Sequence, residues 1–277
     1  MKKNYELLDT GKERKLEKFG DVLVNRPAKK AKWRKGFSEE IWKSAGLSFG
    51  DGRWNEGASG MLFKAWFADA LFELKPLGGG QVGIFPEQEI NWVWLSKIAT
   101  ETNRKLNILN GFASTGASTL FCSTENTEVC HVDGSKASVK TAARNAALSR
   151  KDENKIRWIT DDVVSFMKRE VRRGKKYDGF IFDPPAFGRG KGGKEWCLKR
   201  DLPFLLETVN QLSRGQPEFV LISSHDPELS SCALGKLLKN LDGVRDEEVE
   251  SGVLEIPAKS GQNLPGGVYA RWRRRTF

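Results

Sequence analysis

Apolar and polar residues alternate in repeated strand–helix units from Lys105 onward. Short apolar runs predict five strands, over residues 106–109, 129–132, 156–159, 180–182 and 219–223. Amphipathic stretches between and after them predict helices over residues 116–122, 135–148, 163–172, 202–212 and 228–240. A terminal antiparallel pair is expected over residues 246–256 and 268–272. The pattern predicts an α/β fold with a doubly wound, mainly parallel seven-stranded sheet.

The segment before these units has a different pattern. Residues 1–80 predict a β-rich region, in which residues 61–76 have mixed periodicity and suit either a strand or a helix. A turn at Gly78–Gly80 leads to a helix over residues 89–102, indicated by Ile90, Val93, Trp94 and Ile98. We therefore expect a β-rich region over residues 1–82 and an α/β domain over residues 83–277.

Basic residues exceed acidic ones, and part of the excess is clustered. The chain has 46 Lys and Arg against 36 Asp and Glu, which gives a net charge of +10. Two basic clusters, residues 29–35 and 271–275, also carry Trp33 and Trp272, as a surface for phosphates and stacked bases would. The charge favours RNA as a partner and the N-terminal region as a possible RNA-binding surface. The alternative is a merely solubilising surface.

Neither the hydrophobic pattern nor the cysteines indicate a membrane segment, a disulfide framework or a metal site. No apolar run approaches the length that crosses a bilayer, and the N-terminus lacks the apolar core of a signal peptide. The four cysteines are scattered, without a C-x-x-C pair. The expected location is a reducing cytoplasm, with no metal and no membrane partner. The oligomeric state is left open.

The stretch from Gly179 to Trp196 combines several groups that bind polar ligands. Its apolar strand delivers Asp183 to the carboxyl end, where α/β sheets bind ligands. Pro184 and the proline after it then force the backbone out of the sheet. Phe187 follows, with two alternatives: stacking on a base, or packing as a core aromatic. These residues suggest a site for a flat, phosphate-bearing substrate; the plainer alternative is a Pro turn with a solvated loop.

The turn after the first parallel strand indicates the cofactor. Residues 111–118 have nearly the spacing of a P-loop, but Ala117 stands where its lysine would be, and G-x-G-x-x-G is absent. Such a loop suits an adenosyl ligand without phosphates. Asp133, after the next strand, could accept both ribose hydroxyls, and Asp161 or Asp162 could meet the adenine amino group. Acids at three successive strand ends point to S-adenosylmethionine.

Several longer motifs resemble a known family. They are Tyr5–Gly11, Gly83–Gln88, Leu109–Gly116, His131–Lys136, Asp183–Phe187 and Leu264–Trp272. In this order they are similar to the class I S-adenosylmethionine-dependent methyltransferases of bacterial large-subunit ribosomal RNA, the RlmI/RlmK-like group. The resemblance implies that residues 85–88 close over the methionine end of the cofactor, that residues 112–117 cradle it, and that Asp183 lies beside the transferred methyl.

The candidate site residues follow from the turns and from this resemblance. The catalytic candidates are Asp183, Pro184 and Phe187. The cofactor-binding candidates are Phe85, Glu87, Gln88, Asn110, Phe112, Ala113, Thr115, Gly116, Ala117, Asp133, Gly134, Ser135, Asp161, Asp162 and Asp183. The substrate-binding candidates are Arg189, Lys191, Lys194 and Trp196. His131 is expected to be structural, and His225 to be a loop residue satisfied by Asp226 or a base contact.

Two departures from the family pattern bear on the reaction. Cytosine-C5 enzymes of this group use a cysteine after the fifth strand, whereas this chain has Ser223-Ser224-His225 there. The separate N-terminal RNA-binding domain of some relatives is also expected to be absent. We therefore predict methylation of a base nitrogen in ribosomal RNA. The alternatives are C5 methylation with a displaced cysteine, a non-catalytic RNA-binding protein on this fold, and methylation of a protein or small molecule.

Overall fold

The computed structural model describes residues 3–151, 155–189 and 195–274 and divides into two compact units. The first unit comprises Met1–Glu87 with Glu255–Gly266. The second comprises Gln88–Leu254 with Gly267–Phe277. Each unit is therefore built from two separate stretches of the chain.

The first unit is β-rich, as the sequence predicts. One sheet has the order β1-β2-β3-β4-β5, and a separate hairpin pairs β6 with β7. The strands are β1 (Tyr5–Gly11), β2 (Arg14–Phe19), β3 (Val22–Pro27), β4 (Leu47–Gly50), β5 (Arg53–Trp54), β6 (Phe63–Phe67) and β7 (Ala70–Leu74). A short helix, α1 (Glu39–Lys43), lies between β3 and β4. The ambiguous residues 61–76 thus form a hairpin, in which alternate side chains are buried.

A late segment of the chain completes the first unit. Backbone N–H groups of Lys259 and Ser260 donate to the carbonyls of Leu7 and Leu8, over 2.9 and 3.1 Å. The ammonium of Lys259 also lies 2.8 Å from the Glu6 carboxylate. Residues 255–266 are therefore joined to β1, although they follow it by about 250 residues in the chain.

A buried ionic cluster lies inside this unit. Glu17 is fully buried and accepts hydrogen bonds from Arg26 Nε over 2.5 Å and from Tyr5 OH over 2.9 Å. The ammonium of Lys15 lies 3.3 Å from the same carboxylate. Burial raises the pKa of Glu17, but the charges of Arg26 and Lys15 outweigh it and lower that pKa to about 2. Glu17 is therefore a carboxylate that the fold stabilises in its charged form.

The second unit has the predicted seven-stranded sheet. The order is β10-β9-β8-β11-β14-β16-β15. Its first five strands are parallel, and β16 runs antiparallel to β14. The bounds are β8 (Leu106–Gly111), β9 (Thr127–Asp133), β10 (Ile156–Thr160), β11 (Gly179–Phe182), β14 (Phe219–Ser224), β15 (Glu250–Ile256) and β16 (Leu264–Arg273). A short hairpin, β12 (Phe187–Arg189) with β13 (Glu195–Cys197), follows β11.

The helices agree with the expected alternation and differ mainly in their ends. They are α2 (Glu89–Glu101), α3 (Ala117–Phe121), α4 (Lys136–Leu148), α5 (Val163–Arg172), α6 (Leu198–Ser213) and α7 (Ser231–Lys239). Helix α6 begins before its predicted start at residue 202, because the Asp201 carboxylate accepts the N–H of Cys197 over 2.8 Å. Helix α7 begins later than predicted, because Ser230 caps it. Residues 246–248 form a helical turn, so the strand predicted to begin at residue 246 begins at Glu250.

One expectation about surface charge is wrong. Trp272 is 2% exposed and packs in the core, and the preceding Arg271 is bonded to Glu250. Arg273 pairs with Glu101, and Arg274 with Glu218. The strand pairing of β16 with β14 places these side chains against the protein, so the described part of the cluster is structural and not a stacking surface for RNA. The last residue of the cluster lies outside the described residues.

Two observations concern membranes and metals. Among residues 3–151, 155–189 and 195–274, no helix has an apolar stretch long enough to cross a bilayer. The same residues contain no group of three or more His, Cys, Asp or Glu side chains arranged to hold a metal ion.

Candidate active site

The sheet order creates a crevice at one edge. Strands β9 and β10, which follow β8 in the chain, lie on one side of it, and β11 and β14 lie on the other. The direction in which successive strands are added to the sheet therefore reverses at β8. Ligands of doubly wound folds bind outside the carboxyl ends of the strands at such a point. The turns that follow β8, β9 and β11 therefore hold the groups that matter most.

The turn after β8 is a strained loop. Phe112 and Ser114 have positive φ angles of 57° and 49°, which side chains other than Gly adopt only when the surroundings impose them. Gly116 has φ 91° and precedes helix α3, and a Cβ there would lie 2.8 Å from Cβ of Ala142. Ala117 is the first residue of α3. The backbone of this loop lies close to helix α4, and any side chain larger than that of Gly116 would prevent this approach.

Asp133 fixes this loop from the end of β9. Its two carboxylate oxygens accept the backbone N–H groups of Ser114 and Ser135, each over 2.8 Å. The N–H of Ala113 donates to the carbonyl of Val132 over 3.2 Å. Each carboxylate oxygen keeps a lone pair for a ligand. Nothing lies within 4 Å of the place where a Cβ of Gly134 would be, so the chain is open beside Asp133.

Asn110 and Thr115 are tied into the layer beneath the loop. Asn110 is 2% exposed and donates to Thr119 over 2.8 Å, and Thr119 is 2.9 Å from Nδ1 of His131. The carbonyl of Thr115 accepts from Asn145 over 3.0 Å. Burial lowers the pKa of His131 to about 3, so it is neutral. These bonds give His131 the structural part expected of it.

The acids after β10 have partners within the protein. Asp162 caps helix α5 by accepting the N–H of Ser165 over 2.8 Å. Asp161 pairs with Arg169 and accepts the N–H of Asp162 over 2.9 Å. Both residues lie at the strand end where the sequence places them, and one carboxylate oxygen of Asp162 is occupied by the helix cap.

Asp183 is the centre of a polar cluster after β11. Its Oδ1 accepts from Ser223 Oγ over 2.8 Å, and its Oδ2 lies 3.7 Å from Nε2 of His225. The side chains of Asp183 and His225 are 31% and 36% exposed. Burial raises the pKa of Asp183, but the hydrogen bond and charge of His225, with hydrogen bonds from Ser223 and Gln88, outweigh that effect and lower the pKa. Asp183 is therefore ionised, and its Oδ2 is the oxygen that faces His225.

His225 and Gln88 both contact the Asp183 cluster. The Asp226 carboxylate accepts the N–H of Glu228 over 2.9 Å, whereas His225 faces Asp183. Gln88 donates to Ser223 over 2.9 Å and accepts from Asn91 over 2.8 Å. The amide of Gln88, expected at the cofactor, thus has a partner at each end within this cluster. Sequence reasoning missed Ser223 and Asn91, although the position of Ser223 had been noticed for its missing thiol.

Phe85 and Glu87 belong to the first unit. Phe85 is half-buried, and Glu87 is 8% exposed. Glu87 lines a cavity of about 170 Å³ together with Lys15, Lys29 and Lys30. Of these lysines, Lys15 pairs with Glu17 and Lys30 donates to the carbonyl of Gly266 over 2.8 Å.

The hairpin β12–β13 carries the aromatic candidates. Phe187 is 77% exposed, so the alternative in which it packs in the core is wrong. Trp196 donates from Nε1 to the carbonyl of Pro185 over 2.7 Å, and its ring lies 5.0 Å from that of Phe112. Pro184 is buried at the base of the hairpin. The Trp196 ring therefore joins the hairpin to the loop after β8.

The side chains of three substrate-binding candidates lie outside the described part of the chain. The backbone of Arg189 pairs with Glu195, while its side chain lies outside the described part of the chain. Lys191 and Lys194 lie outside the described residues altogether.

The cysteines do not join the Asp183 cluster in the contacts described. Burial raises the pKa of Cys122 to about 12 and that of Cys130 to about 11, so both are protonated thiols. Cys197 is half-buried on β13, opposite Phe187 in the hairpin register. Cys232 is exposed on α7. The end of β14, where a cytosine-C5 enzyme of the group would carry its nucleophile, has Ser223 and Ser224.

Comparisons with known proteins agree with this architecture. No family model matches the chain. Ribosomal RNA large subunit methyltransferase I of Tolumonas auensis is 30% identical over 115 residues, which cover 41% of this chain and 28% of that protein. The chain thus spans less than a third of the length of the curated relatives that it matches first.

Solved structures cover far more of the chain. A protein crystallised with S-adenosylhomocysteine covers 98% of this chain and 75% of its own at TM-score 0.71 and 15% identity, which shows the fold alone. The S-adenosylmethionine-dependent methyltransferase of Agrobacterium tumefaciens is 31% identical at TM-score 0.89, covering 98% of this chain and 91% of its own. With that coverage and the strand-end site described above, the chain belongs to the S-adenosylmethionine-dependent methyltransferases.

Proposed function

We propose that the protein methylates a base nitrogen in ribosomal RNA. The observation that carries this proposal is the Asp183 cluster: an ionised, partly exposed carboxylate bonded to Ser223, with serines where a C5 enzyme needs a thiol. A carboxylate that accepts an N–H bond suits a nitrogen that gains positive charge as it is methylated. It offers no covalent activation of a pyrimidine carbon.

The residues after β8 and β9 fit an adenosyl cofactor. The backbone of residues 112–117 packs close to helix α4 because Gly116 has no side chain, and Ala117 stands where a P-loop lysine would bind a phosphate. Asp133 keeps one lone pair on each oxygen for the ribose hydroxyls, beside the open position at Gly134. When bound, S-adenosylmethionine supplies an activated methyl group on sulfur. The protein has mainly to orient the acceptor and exclude water.

Two side chains are placed to orient a base. Phe187 is exposed at the hairpin, where its ring can stack on an unpaired or flipped base. Asp183 Oδ2 can accept an N–H of an exocyclic amine. This hydrogen bond orients the lone pair of that nitrogen away from the carboxylate. A ring nitrogen such as guanine N7 needs no proton acceptor, and Asp183 then serves by charge alone.

RNA as the substrate is supported by charge and by the relatives. In the first unit, Lys29, Lys30, Lys32 and Arg34 are exposed next to the half-buried Trp33. Such a surface neutralises phosphates, and its contribution weakens as salt rises. The Tolumonas relative is named as a methyltransferase of large-subunit ribosomal RNA. Ribosomal RNA is therefore the substrate we propose.

Mass spectrometry of ribosomal RNA nucleosides from a strain lacking the gene tests the proposal. We expect one N-methylated nucleoside to disappear, to return with the wild-type gene and to stay absent with Asp183→Ala. Loss of 5-methylcytidine would instead support C5 methylation, in which Cys197 opposite Phe187 is the cysteine to examine first. An unchanged nucleoside profile would overturn RNA methylation. Calorimetry with S-adenosylmethionine then separates a non-catalytic RNA-binding protein from an enzyme with another substrate.

A further inference from the structure

Asp183 lies at the end of a continuous chain of buried hydrogen bonds. The chain runs from Arg271 on β16 through Asn91 on α2, Gln88 just before α2 and Ser223 on β14. Successive donor–acceptor distances are 3.3, 2.8, 2.9 and 2.8 Å. The exposed fractions of Arg271, Asn91, Gln88 and Ser223 are 7%, 0%, 6% and 2%.

The donors and acceptors of these side chains allow only one direction for this series of hydrogen bonds. Arg271 has donors only, so Asn91 must present its oxygen to it and its NH₂ group to Gln88. Gln88 must then present its oxygen to Asn91 and its NH₂ group to Ser223. The Ser223 oxygen accepts that bond, so its single proton is free for Asp183 Oδ1. Glu250 holds Arg271 in place through two bonds, of 2.6 and 2.9 Å.

We propose that Asn91 and Gln88 are positioning residues for the reaction, because they fix the Ser223 proton on Asp183 Oδ1 and leave Oδ2 to meet the substrate. Neither residue needs to touch substrate or cofactor for this. The inference rests on the proposed function only for its activity measurement, since the hydrogen-bond direction can be tested without RNA.

The isosteric variant Asn91→Asp reverses the chain. Its second carboxylate oxygen faces Gln88, which has to turn its amide to donate to it. The Gln88 oxygen then faces Ser223, whose one proton must serve two acceptors. Asp183 therefore loses part or all of its bond from Ser223, although every side chain keeps its size. Gln88→Glu has the same effect one step closer and also removes the hydrogen bond by which Gln88 itself helps to lower the pKa of Asp183, whereas Ser223→Ala removes only the Ser223 bond.

A double-mutant cycle tests whether Asn91 acts through Ser223. We expect Asn91→Asp and Ser223→Ala each to lower kcat about tenfold, as loss of a hydrogen bond to a charged group does. The kcat of the double variant should equal that of Ser223→Ala within about twofold, because Ser223→Ala has already removed the hydrogen bond through which Asn91 acts on Asp183. Ser223→Thr should restore activity, and the Kd for S-adenosylmethionine should stay unchanged. Asn103→Asp, the same change at an exposed residue outside the chain, is the matched control.

NMR provides a readout that needs no RNA. The protein has two histidines, and burial lowers the pKa of His131 to about 3; the other, His225, has its Nε2 3.7 Å from Asp183 Oδ2, so its ring signals report on the Asp183 cluster. The ring signals of His225 should show the protonation of Asp183 as a step in acid. Ser223→Ala and Asn91→Asp should move that step to higher pH by about one unit. Gln88→Glu is the substitute if Asn91→Asp does not fold.

The outcomes separate this inference from the proposed function. Additive losses of kcat, or a His225 titration that ignores Asn91→Asp, would overturn the positioning role. Shifted titrations without any methylated ribosomal nucleoside would uphold the network and refute the RNA substrate. Equal losses in Asn103→Asp would mean that the assay reports general damage, which also overturns the inference.

Discussion

Replacing Asp183 with Asn should abolish its function almost as completely as replacing it with Ala. The Ser223 proton stays on the oxygen at the Oδ1 position, 2.8 Å away in the wild type, because a hydroxyl proton cannot bond to an NH₂ group. The amide nitrogen must then occupy the Oδ2 position, 3.7 Å from His225. A charged acceptor facing the substrate thus becomes a neutral donor. The position is filled, but with the wrong chemistry.

The expected magnitude follows from that single exchange. Removing one preorganised electrostatic group costs about 2.7 to 4 kcal/mol in the transition state, or roughly a hundredfold to a thousandfold in kcat. Single-turnover transfer of a labelled methyl group to ribosomal RNA from the deletion strain measures the effect at saturating cofactor. Asp183→Asn and Asp183→Ala should agree within about threefold, with cofactor affinity nearly unchanged. If Asp183→Asn keeps more than about a tenth of wild-type kcat, Oδ2 is not the acceptor.

Three further predictions concern the cofactor, the thiols and the pH dependence of stability. Asp133→Ala should weaken S-adenosylmethionine binding by about 1 to 3 kcal/mol, measured by calorimetry. The control is Glu128→Ala, which changes an exposed acid on the same strand and should leave the affinity unchanged. Equal affinities in the two variants would remove Asp133 from the site. A variant with all four cysteines replaced by Ala should keep turnover within about threefold, and a folded, cofactor-binding but inactive variant would speak against nitrogen methylation. The pKa of Glu17 is lowered from 4.5 to about 2, so this carboxylate contributes up to about 3 kcal/mol to the free energy of unfolding at neutral pH. That contribution is lost as pH falls from about 4.5 towards 2. Urea unfolding should show the loss in the wild type but not in Glu17→Gln.

The pattern of the sequence predicted the sheet well, because βα units leave a strong periodic signal. The mainly parallel arrangement and the acids at the strand ends followed from that signal together with the general behaviour of parallel sheets. The basic cluster ending the chain was misjudged, since charge in sequence does not reveal that Arg271 meets Glu250 and that Trp272 is core. A run of basic residues on a buried strand looks the same as one on a surface.

The polar network was beyond reach of the sequence for a different reason. Gln88 and Ser223 are 135 residues apart, and their contact depends on how α2 packs against β14. The amide of Gln88 was noticed as part of a motif, but its direction depends on Arg271, far away in the chain. Hydrogen-bond direction is a property of a whole network, so no single motif contains it.

The joining of residues 255–266 to β1 has a consequence for synthesis on the ribosome. Strand β1 emerges early, yet Lys259 and Ser260, which bond to it, are translated about 250 residues later. At 5 to 20 residues per second, that separation is roughly 13 to 50 seconds. Over this interval the first unit lacks one of its segments, and by the end of the interval all five parallel strands of the second unit, encoded between residues 106 and 224, have been translated. The unit that begins the chain is therefore completed only after most of the second unit has been translated, and residues 1–87 alone do not amount to an excisable domain.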